Sequence, residues 1–145
     1  MPDLTRRREK GVHQESWHIY YGDVQVGTIS ERAGVPNSAP QWGWNCGLYP
    51  GMEPGEQQRG TGATFEEARA GFEEAWRGIL LTLPAEAFEE NRRATSLTRW
   101  KYAIWEAGCR MPTQNQNGRS RCFCGEEIGV DCEAHIYAVH MEKRD

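Results

Sequence analysis

A chain of 145 residues with 17 basic and 21 acidic side chains, net charge −4 and 38% hydrophobic residues fits one compact core, or a core with a small appended unit. That balance gives no general attraction to nucleic acid or anionic membranes, and apolar runs such as residues 79–83 are too short to span a bilayer. The opening MPDLTRRREK lacks the apolar stretch of a secretory signal, so the expected address is the cytoplasm.

Residues 1–15, with Arg6, Arg7, Arg8 and Lys10, read as a flexible basic tail. A hairpin follows over 16–29, because Trp17, Ile19 and Tyr21 alternate with residues of the opposite face, Gly22-Asp23 makes a tight turn, and Val24 and Val26 resume the alternation. A two-residue turn sets Tyr21 opposite Val24 and Ile19 opposite Val26, all on the face of Trp17. Residues 32–41 read as a loop, and 42–49 as a third strand with Trp42, Trp44, Cys46 and Leu48 on one side. The next stretch, to Gly62, is rich in turn formers, with a short edge strand expected over 57–61. The open face of the sheet is expected to carry His18, Tyr20 and Tyr49, as a partner surface or as a second layer of core.

Thr64 and Glu67 match a capping box. From Phe65 to Leu83, apolar residues at three- and four-residue steps (Phe65, Ala68, Phe72, Ala75, Trp76, Ile79, Leu80, Leu83) predict an amphipathic helix ended by Pro84. Pro84 can open a short second helix through Phe88 to Arg92. A third is expected from Ser96, with Leu97, Trp100, Ile104 and Trp105 inward and Gly108 as its stop. TQNQNGRS, residues 113–120, reads as a linker. The expected architecture is α+β: an antiparallel meander of three to four strands packed by two or three helices over 16–112, then a small unit over 121–145.

Chemistry concentrates in that last unit. Three of the five cysteines, Cys122, Cys124 and Cys132, stand with His135 and His140 within nineteen residues, a pattern of metal ligation rather than of disulfides. Cys46 and Cys109 stand apart and read as small buried hydrophobes. In an extended strand Cys122 and Cys124 would point the same way, and Gly125 would let the chain turn back. Asp131 is positioned to cap a helix over 132–141. On an ideal α-helix His135 and His140 are about 140° apart, so a distorted last turn is needed to bring them to one ion. Cys132, one turn before His135, competes with it for the fourth position. The expected ligands are therefore Cys122, Cys124, His135 and His140, with Cys132 as the alternative, and the expected ion is a structural zinc.

The segment from Cys122 to His140 resembles a short zinc finger of the Ros type found in bacterial regulators, although one residue rather than two separates the cysteines. The Trp-rich hairpin, Gly-rich loop and TFEEARAGFEEAW helix are similar to small bacterial proteins of unknown function, and their order also resembles the core of HicB-type antitoxins, which bind a partner protein. These resemblances imply a zinc-held protein-binding or regulatory module. They leave a DNA-binding regulator, an antitoxin-like protein and, more remotely, a zinc hydrolase as alternatives.

Other enzyme signatures are missing. The sequence has no GxSxG elbow, no GK[ST] phosphate loop, no HExxH and no deaminase pair of HxE and PCxxC. Glu66, Glu67, Glu73 and Glu74 complement a helix dipole. Residues 119–145 hold four basic and six acidic side chains, a poor balance for a groove reader, so a protein partner is expected rather than nucleic acid.

Overall fold

The computed structural model describes residues 3–48, 51–52 and 55–141, and the chain divides into two compact units at Asn91/Arg92. In the first unit five strands, β1 (Leu4–Arg8), β2 (Ser16–Tyr21), β3 (Val24–Glu31), β4 (Trp42–Cys46) and β5 (Gln58–Gly62), form an antiparallel sheet in chain order. Helix α1 (Phe65–Leu80) packs across β3, β4 and β5.

The segment expected as a basic tail is instead the edge strand β1, paired with β2 from Leu4↔Tyr21 to Arg8↔Trp17. Its alternation is carried by arginines. The Arg6 guanidinium lies 4.3 Å from the Trp17 ring centroid and 4.7 Å from that of Phe65, while Arg7, on the opposite face, lies 4.7 Å from Tyr20. Cation–π contacts thus dock a strand whose charge alone suggests a solvated end.

The hairpin turn sets Tyr21 opposite Val24 as expected, but Ile19 pairs with Gly27, because a bulge in β3 adds one residue. Val24, Val26 and Ile29 are all buried despite the shift. Gly27 makes the bulge possible. Its φ is +154°, and a Cβ there would lie 2.0 Å from the Asn45 carbonyl oxygen.

Trp42 and Trp44 both turn toward α1, against Phe65 and Phe72. Trp44 lies over two glycines, Gly60 of β5 and Gly71 of α1, where added Cβ atoms would come within 2.7 and 2.8 Å of the indole. The core beneath α1 comprises Ile19, Val24, Val26, Ile29, Cys46, Leu48, Ala68, Phe72, Ala75, Trp76, Ile79 and Ala87. Tyr49, expected to end the third strand and to face outward, lies outside the described residues. On the open face His18 is paired rather than isolated, 2.8 Å from Gln25 Nε2 and 3.7 Å from Glu9.

Thr64 caps α1, its hydroxyl accepting from the Glu67 amide at 3.2 Å, and the Glu67 carboxylate reaches back to the Ala63 amide at 2.8 Å. The helix stops at Leu80, short of Pro84, where the Thr82 hydroxyl donates to the Ile79 carbonyl. Past Pro84 a single helix, α2 (Ala85–Glu106), replaces the two expected, since residues 92–96 contain neither Gly nor Pro. Gly108, at φ +72°, closes it in a Schellman motif: the Cys109 amide donates to Ile104 and the Gly108 amide to Trp105, both at 3.0 Å.

In the second unit the later turns of α2 are followed by a 3-10 turn (Pro112–Gln114), the hairpin β6 (Arg119–Arg121) and β7 (Glu127–Gly129), and α3 (Glu133–His135), which runs into a π-turn (Ile136–His140). Its core is Trp100, Ile104, Cys122, Ile128, Cys132 and Ile136. The expected linker is ordered by its own amides. Asn115 Nδ2 donates to the Arg119 carbonyl at 2.7 Å, and Asn117 Oδ1 accepts from the Arg119 amide at 3.0 Å. Trp105, expected inward, is 77% exposed. Among the described residues no helix is long and apolar enough to cross a membrane.

Candidate metal centre

The hairpin turn between β6 and β7 is made by Cys122-Phe123-Cys124-Gly125. The Gly125 amide donates to the Cys122 carbonyl and the Cys122 amide to the Glu126 carbonyl, each at 2.9 Å. The two cysteines therefore lie in a turn and not, as expected, along a strand, and Gly125 supplies the positive φ, +97°, that closes it. Cys122 is buried, Cys124 exposed.

The histidines come from the last helical segment. Cys132, not Asp131, is the N-cap of α3, and no side chain caps its amides. The π-turn resolves the 140° separation of an α-helix, because i→i+5 closure stacks residues five apart on one side. His135 and His140 Nε2 thereby approach to 3.2 Å.

Four donor atoms converge. The Cys122 and Cys124 sulfurs and the His135 and His140 Nε2 atoms all lie within 4.8 Å of one another, close enough to hold a metal ion. Cys122 Sγ is 3.4 Å from His140 Nε2, and Cys124 Sγ is 3.5 Å from His135 Nε2. Cys132 is not part of this group. It packs in the apolar cluster of the unit, and burial first, then Glu133 and Asp131, hold its thiol above the ordinary value of 9.0, with the helix backbone and Lys101 pulling the other way.

Two residues outside the expected set complete the site. Glu126 Oε2 lies 2.9 Å from His135 Nδ1, the outer nitrogen of the ring, and so favours the tautomer whose Nε2 lone pair faces the other donors. Trp100 of α2 donates its indole N–H to the buried Cys122 sulfur at 3.4 Å. Glu126 adjoins the CFCG turn in sequence, but nothing in its spacing marks it as the partner of His135. Nor does spacing mark Trp100, which stands 22 residues before its partner.

His140 is held below its ordinary pKa of 6.5 by burial and then by His135, against the pull of Glu126. Its neutral form, the one that ligates metals, is thereby favoured. Phe123 covers it, with ring centroids 4.9 Å apart. Cys46 is of a different kind, its thiol pushed up to about 12 by burial alone, as befits a packing residue. No known protein family matches this chain, and no curated protein or solved structure is significantly similar to it.

Proposed function

We propose that the chain is a non-catalytic module, held in its second unit by one zinc ion, that binds or regulates a protein partner. The observation that carries the zinc reading is the spacing of the four donors. Zn–S bonds of about 2.3 Å and Zn–N bonds of about 2.0–2.1 Å in a tetrahedron imply edges of about 3.5 Å between sulfur and nitrogen and about 3.3 Å between nitrogens. Three of the six edges match, at 3.4 and 3.5 Å for sulfur to nitrogen and 3.2 Å for nitrogen to nitrogen, and all four donors lie within 4.8 Å of one another. Two thiolates and two imidazoles suit zinc, and four protein donors leave no ligand position for water or substrate, the arrangement of a structural ion.

The partner reading rests on exposed apolar side chains in the same unit: Tyr102, Trp105, Phe123, Val130 and Val139. Aromatic residues so exposed suit a protein interface.

Elemental analysis of protein purified without chelator tests the first part. About one zinc per chain is expected, and metal-free protein with an intact second unit would reject it. A photo-crosslinking side chain at position 105 tests the second, with one at the exposed Arg77 of α1 as control. A discrete adduct from position 105 that disappears after zinc removal is expected, and adducts independent of position or metal would reject it.

A further inference from the structure

Between the edge strand β1 and helix α1 lies a cavity of about 180 Å³. Its floor is apolar, made by Leu4, Ile19, Ile29 and Phe72, of which the last three are 5%, 1% and 1% exposed. Its rim is charged, with Arg6 from the strand and Arg69 and Glu73 from the helix.

The cavity exists because β1 has an arginine where a bulky apolar residue would have covered Ile19, its cross-strand partner. Arg6 leans over Trp17 and Phe65 instead, at 4.3 and 4.7 Å from their centroids. Stacking on two rings fixes the plane of a guanidinium and leaves its edge available for hydrogen bonding. On the other wall, Arg69 Nε donates to Glu73 Oε1 at 3.0 Å, which holds the second guanidinium at the mouth. Two arginines against one glutamate give the rim a net charge of +1, matched by one negative charge and not by a phosphate dianion. An engineered apolar cavity of about 150 Å³ accepts benzene, so the floor suits an apolar body of about six to eight carbons.

We infer that this cavity binds a small monocarboxylate, its carboxylate between Arg6 and Arg69 and its compact hydrocarbon body on Ile19, Ile29 and Phe72. The arginines supply charge-assisted hydrogen bonds and the floor supplies burial.

The test is a titration of the full-length protein with cyclohexanecarboxylate, followed by calorimetry and by amide NMR shifts. Saturable binding is expected with Kd on the order of 0.1–1 mM for so few heavy atoms, with shifts centred on Ile19, Ile29 and Phe72. Arg69→Gln should weaken binding about tenfold without altering the melting profile, Arg6→Gln should weaken it about as much while also lowering the melting temperature through the lost stacking on Trp17 and Phe65, and Glu73→Gln, which removes the opposing charge, should tighten it severalfold. Cyclohexylmethanol, the same body without the charge, should bind at least about tenfold more weakly. The inference is overturned by an absence of saturable shifts up to about 10 mM, by equal binding of the alcohol, by arginine variants that bind as the parent does, or by weaker binding in Glu73→Gln.

Discussion

The carboxylate of Glu126 and the imidazole of His135 meet at 2.9 Å through Nδ1, the ring nitrogen that does not face the other donors. A carboxylate there orients the ring and fixes its tautomer, and loss of such a partner typically costs about 10–100-fold in metal affinity. Glu126→Ala should fall in that range while still binding one metal at saturation. Glu126→Gln, which keeps an acceptor oxygen but not the charge, should lose less. Competition with a chromophoric chelator reads both, and an affinity unchanged in Glu126→Ala would remove Glu126 from the site.

The two flanking cysteines should behave in opposite ways. Cys124 is exposed, so apart from its place among the four donors it contributes little packing, and Cys124→Ser should release the metal. Cys132 is buried in the apolar cluster but outside the donor group, so Cys132→Ala should keep the metal and lose only stability, on the order of 1 kcal/mol for a small buried side chain. Among the described residues the apolar cluster of the second unit has six buried members, a small core for short strands and a three-residue helix. Removing the metal should therefore raise amide exchange across residues 119–141 and leave the β1–β5 sheet protected. Uniform loss of protection over both units would contradict this.

Acid should loosen the same unit first. His140 has a folded pKa below its ordinary value of 6.5, so between those two values the unfolded chain binds more protons than the folded one. Its contribution is intact above 6.5 and is lost as pH falls through the lowered pKa. Proton competition for the thiolates and imidazoles of a bound metal acts in the same direction. Thermal melts of the unaltered chain, followed by the amide NMR signals of residues 119–141, should shift downward between pH 7.5 and 5.5, and an upward shift would refute the assignment.

The sequence made the α1 stripe legible because Phe65, Ala68, Phe72, Trp76 and Ile79 repeat at helical spacing and Thr64 and Glu67 mark the start. Two features were hidden for physical reasons. β1 buries no run of apolar side chains, and its arginines dock on Trp17, Phe65 and Tyr20, which only the paired sheet brings near. The bulge at Gly27 is likewise fixed by the neighbouring strand and not by local alternation. At the candidate site the residue types and spacing pointed to Cys122, Cys124, His135 and His140, but periodicity assumes a regular helix, and the π-turn departs from that regularity.

Two glycines of α1 give a paired test of the fold. Gly71 lies under Trp44, where a Cβ would meet indole Nε1 at 2.8 Å, while a Cβ on Gly78 meets nothing within 4 Å. Gly78→Ala should stabilise by about 0.4–1 kcal/mol through reduced freedom of the unfolded chain. Gly71→Ala has the same helix-propensity gain but must displace a ring packed against Phe72, and should destabilise by about 1–3 kcal/mol. Urea unfolding of both variants reads the difference, and equal effects would mean that Trp44 is not held in this slot.

The second unit should not read duplex DNA. A groove-reading helix needs cations, because phosphate contacts supply much of the affinity and fix the register. Among the described residues the one helical segment that follows the two cysteines, Glu133–His140 in α3 and its π-turn, has no Lys or Arg, and Glu133 stands at its start. Its two histidines face the cysteine sulfurs and each other, so neither is available to a phosphate. The arginines of β1 are a separate matter: Arg6 and Arg7 stack on aromatic rings of the sheet, which limits their reach along a duplex. Titration of labelled duplex with the zinc-loaded full-length protein, at two salt concentrations, should show at most weak binding that falls steeply with salt. Arg7→Gln should reduce it further, since Arg7 is on the face away from α1. Tight, sequence-selective binding that persists at high salt and in Arg7→Gln would make the second unit a DNA reader and overturn the protein-partner reading.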